Sequence, residues 1–153
     1  MLLQRLNKND LPQIKAFNRR CFSPADRWSE ADWTELLEDE RALYYALLEN
    51  GQIVGNMFLY DWQGERDFLK IMNLGVAPDR RGQGLACRLL QEAAEELKAS
   101  MLTRCCGETR ESNLAMRRVF ERCGYRLSKT EESYYENPTE SACKYVLRRE
   151  ELE

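Results

Sequence analysis

A short glycine-containing loop between a strand-like run and an amphipathic helix most constrains what this chain can fold into. The loop reads Arg-Gly-Gln-Gly-Leu-Ala from Arg81 to Ala86 and follows the apolar-rich run 69–76, which Pro78 closes. A glycine pair before a helix is often only a turn. Such a loop can also bind phosphate, because it offers free N–H groups and the positive end of the helix dipole. The residues behind it recur at helical spacing, namely Leu85, Ala86, Leu89, Leu90, Ala93, Ala94 and Leu97.

The familiar phosphate loops do not match this stretch. The Gly-x-x-x-x-Gly-Lys-Ser/Thr pattern is absent, and Cys87 stands at the third glycine position of the dinucleotide fingerprint. The pattern that does fit is Arg/Gln-x-x-Gly-x-Gly/Ala, as Arg81-x-x-Gly84-x-Ala86. Arginines at 80, 81 and 88 surround the loop, where they would suit an anionic ligand.

Length and charge set the class of protein. The 153 residues suffice for one domain with a real core, so we expect a single domain over 1–153. The net charge of −3 does not indicate a nucleic-acid partner. No apolar run approaches the roughly 18 residues of a membrane span, and the N-terminus lacks a signal-peptide core. We therefore expect a cytoplasmic protein without a membrane partner, while its oligomeric state stays open.

Cysteine and histidine content limits the chemistry. The six cysteines include no Cys-x-x-Cys pair, and the chain has no histidine, so no metal site is expected. Most of the cysteines are expected to be small buried hydrophobes in a reducing compartment. A catalytic cysteine is the minority interpretation. Acid–base chemistry falls to Glu, Asp, Tyr, Cys, Lys or water, because the usual near-neutral base is missing.

The order of predicted elements indicates a mixed α/β sheet domain. Asn9-Asp10-Leu11-Pro12 starts a first helix, and Asn50-Gly51 and Gly64 predict turns between strands. Gly124 is expected to end the last helix. Further helices are predicted over 29–37, after the glycine loop and over 113–122, and strands over 43–48, 53–60, 68–76, 101–106, 125–128 and 143–147.

Residues 73–90 resemble the central motif of the GCN5-related N-acetyltransferase (GNAT) family, and the resemblance covers nearly the whole chain. Within that family the chain is most similar to the ribosomal-protein alanine N-acetyltransferases. The resemblance implies an α/β (α+β) GNAT fold, with a mixed, mostly antiparallel sheet that is splayed at its centre and has helices on both faces. Four local matches support the subgroup: residues 28–30, 108–113, 120–125 and 134–135.

The resemblance implies acetyl-CoA as co-substrate and no metal. Backbone groups of the strand end would pair with the pantetheine arm, and the Val76 N–H would polarise the thioester carbonyl. The loop would hold the pyrophosphate through backbone N–H groups, with glycine needed for close approach. Asn113 would contact coenzyme A and is also a good helix cap. The implied cofactor-binding residues are Leu74, Gly75, Val76, Arg81, Gly82, Gln83, Gly84, Leu85, Ala86, Cys87 and Asn113.

The resemblance also implies that Glu108 acts as general base, directly or through water. An α-ammonium, with a pKa of roughly 7.7–8.0, is easier to deprotonate than a lysine near 10.4. Phe120 stands where the family commonly has a tyrosine that protonates the departing thiolate. Three explanations are open: the thiolate leaves unaided, Tyr134 or Tyr135 replaces the missing hydroxyl, or the protein is weakly active or specialised. The candidate catalytic residues are Glu108, Tyr134 and Tyr135.

The predicted function is direct acetyl transfer to an amine, and the favoured acceptor is the α-amine of a protein N-terminus. The alternatives are a small-molecule amine acetyltransferase, a non-catalytic acetyl-CoA-binding module and, more weakly, a cysteine-based acyl carrier. Acceptor specificity is expected in the region 22–33 and in two predicted loops, over 60–68 and 134–141.

Overall fold

The computed structural model describes residues 1–61 and 67–152. The predicted turn at Gly64 and the middle of the 60–68 segment lie outside these residues. The α-helices are α1 (Leu11–Cys21), α2 (Glu30–Glu38), α3 (Leu85–Ala99) and α4 (Leu114–Arg122). The strands are β1 (Leu2–Leu6), β2 (Ala42–Glu49), β3 (Gln52–Asp61), β4 (Phe68–Val76), β5 (Arg104–Arg110), β6 (Arg126–Tyr135) and β7 (Glu140–Arg148).

The elements form a mixed α/β fold with a mostly antiparallel sheet, as the sequence predicts. Its contacts divide into two compact units, to both of which β4 and α3 contribute. The first unit comprises residues 1–61 and 72–89, and the second comprises 62–71 and 90–153. No helix in the part of the chain that the structure describes is long and apolar enough to cross a membrane.

The first unit is built on antiparallel strands β1, β2 and β3 and the Met72–Val76 part of β4. The predicted turn between β2 and β3 is confirmed, since Asn50 and Gly51 both adopt positive φ, at 52° and 77°. Strand β1 was not predicted. Its five residues are mostly exposed and show no alternation of apolar side chains, so its pairing with β2 makes it a strand.

Helices α1 and α2 cover an aromatic cluster in the first unit. Ser29 caps α2 by accepting a hydrogen bond from the Asp32 N–H at 3.1 Å. The helix thereby buries Trp33, which is 1% exposed. The ring of Trp33 lies 4.5 Å from that of Trp28 and 5.9 Å from that of Phe58. Aromatic burial of this size is a main source of stability in a small core.

The second unit continues from the Phe68–Ile71 part of β4 through β5 and β7 to β6. Strands β4 and β5 are parallel and pair at three positions, ending at Lys70 and Cys106. The prediction for the next strand is wrong in its bounds. Strand β5 begins at Arg104 rather than Met101, because residues 100–103 form a turn in which the Ser100 hydroxyl accepts from the Leu102 N–H. Glu108 therefore lies within β5 rather than after it.

Strand β6 is also longer than predicted. It runs to Tyr135 as an exposed edge strand that pairs with β7, and its polar sequence gives no alternating signal. Tyr134 and Tyr135 thus belong to the strand, and the connection to β7 is only residues 136–139. The predicted loop over 134–141 is wrong to that extent.

The ring of Phe120 packs directly on the backbone of Gly107. A Cβ added at Gly107 would lie 2.7 Å from two Phe120 ring carbons and 3.3 Å from Ile71 Cδ1. The Phe120 ring is 1% exposed and stacks on Tyr145 with ring centroids 5.0 Å apart. It therefore cannot move away without disturbing the core.

We expect Gly107→Ala to lower the free energy of unfolding by about 1–2 kcal/mol, because one methyl group overpacks this contact. Urea denaturation measures the change. Phe120→Leu in the Gly107→Ala background should recover part of the loss, since the smaller side chain yields space. Strictly additive effects of the two substitutions would contradict the contact.

Candidate active site

The first unit contains the predicted donor loop. Strand β4 ends at Val76, a short 3-10 turn follows over Pro78–Arg80, and α3 starts at Leu85. Gly82 and Gly84 both have positive φ, at 80° and 78°, whereas Gln83 between them does not. Alternating backbone handedness of this kind turns successive N–H groups toward one point and makes an anion-binding concavity.

The loop has room for a ligand group. Gly82 and Gly84 are exposed, and no heavy atom would lie within 4 Å of a Cβ built on either residue. The first N–H groups of α3 lack intrahelical partners and stand at the positive end of the helix dipole. These features fit a pyrophosphate. The predicted cofactor-binding residues of the first unit are Leu74, Gly75, Val76, Arg81, Gly82, Gln83, Gly84, Leu85, Ala86 and Cys87.

Gly75 is a glycine because the end of α1 approaches it closely. A Cβ there would lie 2.7 Å from both Cys21 Sγ and Phe22 Cζ. The Cys21 thiol also donates to the Val76 carbonyl at 3.3 Å. The end of β4 is therefore held against the end of α1 and the start of the α1–α2 connection.

The three arginines near the loop have different surroundings. Arg80 forms an ion pair with Glu49 on β2. The Arg81 guanidinium donates to the backbone carbonyls of Val76 at 3.2 Å and Cys21 at 3.4 Å. Arg88 is exposed. A carboxylate thus balances the charge of Arg80.

Asn113 lies in the second unit and caps α4. Its Oδ1 accepts from the Met116 N–H at 3.1 Å, so the structural role that the sequence predicts is present. Its contact with coenzyme A stays a prediction.

Glu108 stands among two lysines and a tyrosine. The Tyr134 hydroxyl donates to Glu108 Oε1 at 2.7 Å, and Lys70 Nζ lies 3.2 Å from the same oxygen. Lys144 Nζ lies 3.8 Å from Oε2, beyond hydrogen-bond distance. Oε2 is buried and has no hydrogen-bond partner within residues 1–61 and 67–152. One carboxylate oxygen is thus held in place, while the other can accept a donor.

Tyr134 and Tyr135 pack edge to face, with ring centroids 5.0 Å apart. Lys144 Nζ lies 4.8 Å from the Tyr134 ring centroid, and the Arg110 guanidinium lies 4.7 Å from that of Tyr135. Burial and the hydrogen bond to Glu108 raise the pKa of Tyr134 well above its usual range. Tyr134 therefore keeps its proton at neutral pH and remains a donor to Glu108.

Arg110 ties the β6–β7 connection to β5. Its guanidinium donates to the carbonyls of Glu136 at 2.8 Å and Pro138 at 2.9 Å, and it pairs with Glu140 at 3.4 Å. Glu140 in turn accepts from the Ser112 N–H at 2.6 Å. Arg110 thereby restrains the short connection that follows the tyrosine pair.

Phe120 is a core residue, and the nearby tyrosines differ in their partners. The Tyr145 hydroxyl contacts Arg117 and Glu121, and the Tyr125 hydroxyl contacts Cys105 Sγ. Tyr134 is bonded to Glu108 instead. Tyr134 is thus the one of these three tyrosines whose hydroxyl contacts Glu108.

The cysteines give little support to a thiol nucleophile. All six are free. Burial raises the pKa of Cys105 to about 12, and it also raises the pKa values of Cys21 and Cys106. A thiol that holds its proton is a poor nucleophile.

Sequence reasoning missed Lys70 and Lys144 as site residues. The available signal was a lysine inside an otherwise apolar strand run, Phe68-Leu69-Lys70-Ile71. Only the pairing of the strands brings both lysines to Glu108.

A family model described as the acetyltransferase (GNAT) family matches residues 11–125. The chain is 28% identical to the [ribosomal protein bS18]-alanine N-acetyltransferase of Escherichia coli strain K12 over 133 residues, which is 87% of this chain and 86% of that protein. The crystal structure of the ribosomal-protein-S18-alanine N-acetyltransferase from Escherichia coli superposes with a TM-score of 0.85 at 26% identity, covering 96% of this chain and 92% of that one.

Two more distant solved structures share the fold. Arabidopsis thaliana NAA60 in complex with acetyl-CoA has a TM-score of 0.81 at 15% identity, covering 96% of this chain and 97% of that one. A spermidine N-acetyltransferase chimera from Vibrio cholerae and hSSAT has a TM-score of 0.82 at 15% identity, covering 99% and 98%. A ribosomal-protein alanine N-acetyltransferase and a spermidine N-acetyltransferase share this fold, so the fold alone does not identify an acceptor.

Proposed function

Because the chain belongs to the GNAT family of acetyltransferases, we propose that it acetylates the α-amine of a protein N-terminus with Glu108 as proton acceptor. The observation that carries the proposal is the buried Glu108 Oε2, which has no hydrogen-bond partner among the described residues. A buried acceptor atom left in this state costs about 1–3 kcal/mol. An acceptor amine that donates to Oε2 would remove that cost at the moment of binding.

The surroundings of Glu108 hold its carboxylate in one orientation. Tyr134 and Lys70 both hold Oε1, which orients the carboxylate. An α-ammonium group needs little help to lose its proton near neutral pH, since its pKa is roughly 7.7–8.0. Glu108 would take that proton directly or through water and leave the amine free to attack.

Acetyl-CoA would supply the acetyl group as an activated thioester. The Gly82–Gln83–Gly84 turn and the start of α3 would bind its pyrophosphate through N–H groups, and the Val76 N–H would donate to the thioester carbonyl. The residues that we propose to hold acetyl-CoA are Leu74, Gly75, Val76, Arg81, Gly82, Gln83, Gly84, Leu85, Ala86, Cys87 and Asn113.

Tyr134 and Tyr135 are proposed as the remaining catalytic residues. Tyr134 would orient Glu108 and give its hydroxyl proton to the departing thiolate, and Glu108, which holds the proton taken from the acceptor, would reprotonate Tyr134 through their hydrogen bond. Tyr135 would support the ring of Tyr134 and contact the acceptor. The proposal treats residues 1–153 as a single acetyltransferase domain, because the family match extends across residues of both compact units. A cytoplasmic location is part of the proposal, since acetyl-CoA and nascent N-termini occur together there.

The similarity to the Escherichia coli alanine N-acetyltransferase supports a protein N-terminus as acceptor. Mass spectrometry after incubation with acetyl-CoA and a panel of peptides and small amines tests this. We expect acetyl groups on peptide α-amines, with N-terminal alanine among the good acceptors. Acetylation of small amines alone would refute the N-terminal assignment. Binding of acetyl-CoA without any product would favour a non-catalytic module.

Removing the Tyr134 hydroxyl should weaken catalysis. We expect Tyr134→Phe to lower kcat about tenfold, the effect of losing one hydrogen bond to a charged group. Steady-state kinetics at saturating acetyl-CoA measure the change. Tyr135→Phe is the discriminating variant, since a larger loss there than in Tyr134→Phe would assign the critical hydroxyl to Tyr135.

A further inference from the structure

The carboxylate of Glu108 is already balanced by positive charge. Lys70 Nζ and Lys144 Nζ lie 3.2 Å and 3.8 Å from its two oxygens. The side chains of Lys70, Lys144 and Glu108 are 22%, 26% and 15% exposed. Charges in such partly buried surroundings are screened less than charges on the open surface. The two ammonium groups therefore act on anything that approaches Glu108.

A second carboxylate leaves the local charge close to neutral. Lys144 Nζ is 3.3 Å from Glu131, which also lies 3.5 Å from Lys129. Counting Lys70, Lys129 and Lys144 against Glu108 and Glu131 gives three positive and two negative charges. An acceptor with several ammonium groups needs surplus negative charge to bind it, and this cluster offers none.

The lysines are fixed by strand pairing. Lys144 on β7 stands directly opposite Glu108 on β5, and Lys70 on β4 pairs with Cys106, two residues before Glu108. Side chains directly opposite on neighbouring antiparallel strands lie within about 5 Å at Cβ. The sheet therefore fixes the backbone positions of both lysines, and from these positions their ammonium groups reach Glu108.

We propose that Lys70 and Lys144 are specificity residues that select acceptors whose reacting amine is the only positive charge and that discriminate against polyamines. The proposal rests on the proposed function, in which the acceptor amine meets Glu108. A peptide N-terminus followed by neutral or acidic side chains satisfies the requirement. A polyamine brings further ammonium groups toward Lys70 and Lys144, and repulsion of an unwanted partner is a common source of specificity.

The test compares acceptors that differ in charge. One series is n-butylamine, 1,4-diaminobutane and spermidine, and the other is N-terminal alanine peptides with Asp, Ala or Lys in second place. We expect kcat/KM to fall about tenfold with each added positive charge, the effect of one unit charge at several ångströms in a partly screened site. K70M and K144M keep an apolar stem. In each variant, the factor by which kcat/KM falls per added positive charge should be smaller than in the wild type by at least about threefold.

Lys98→Met is the matched control, because Lys98 pairs with Glu95 on its own helix. It should leave the charge dependence unchanged. A charge dependence identical in wild type, K70M and K144M, with all variants folded by circular dichroism, would overturn the proposal. So would a wild-type preference for spermidine.

The two series separate this inference from the proposed function. If only small amines are acetylated, the N-terminal assignment fails, while the amine series still measures the effect of the lysines. Calorimetric binding of spermidine gives a readout without turnover. The K70M/K144M double variant should bind spermidine more tightly than wild type, and equal affinities would contradict the proposed role.

Discussion

Replacing Glu108 by glutamine should lower kcat for acetyl transfer by about 10²- to 10⁴-fold, the usual contribution of a positioned general base. The amide keeps the size of the side chain but cannot accept the proton. The dissociation constant for acetyl-CoA should stay within about twofold, because the proposed donor residues lie elsewhere in the chain. Steady-state kinetics and calorimetry measure the two quantities separately.

Glu111→Gln is the control for the loss of a negative charge, since Glu111 follows β5 and is exposed. It should leave kcat nearly unchanged. Thermal unfolding of Glu108→Gln must also be measured, because the substitution removes the anionic partner of Lys70 and Lys144. A folded Glu108→Gln enzyme with wild-type rates at every pH would refute Glu108 as the base.

Replacing Gly84 by alanine should raise the dissociation constant for acetyl-CoA at least about thirtyfold. Gly84 has φ +78°, where a side chain with a Cβ costs about 1–2 kcal/mol. Relief of that strain would move the N–H groups out of the concavity, and the methyl group would stand in the open space where we propose that the pyrophosphate binds. Calorimetric titration with acetyl-CoA measures the affinity.

Gly51→Ala is a matched control for backbone strain. Gly51 has nearly the same φ, +77°, and a Cβ there also meets no atom within 4 Å, but it lies in the β2–β3 turn. Both substitutions should lower the free energy of unfolding by similar amounts, about 1–2 kcal/mol. Only Gly84→Ala should weaken acetyl-CoA binding. Equal affinities in the two variants would contradict the assignment of the loop to the pyrophosphate.

Features that depend on residues adjacent in the sequence were predictable from it. The helical spacing after the glycine loop, the helix cap at Asn113 and the turn at Asn50-Gly51 all reappear in the structure. Each arises from local physics, namely the period of a helix, the open N–H groups at its start and the positive φ that asparagine and glycine tolerate. The glycine loop over Arg81–Ala86 could be located for the same reason.

Strand bounds were less predictable. β1 and the outer part of β6 are polar, exposed segments that become strands by pairing with β2 and β7. Their sequences carry no alternation because neither face needs to be buried. The prediction for β5 failed for the converse reason, since Met101 and Leu102 are apolar but lie in a turn.

The sequence by itself determined the glycine loop and the family and pointed to Glu108 as the candidate base, because these are carried by consecutive residues whose conformation or pattern is local. Only the tertiary structure decided what surrounds Glu108. Residues 70, 108, 134 and 144 come from four strands, and strand pairing sets which of their side chains meet. Tyr134 and the two lysines reach Glu108 through that pairing, which no local pattern encodes, and the same pairing leaves Oε2 without a partner among the described residues.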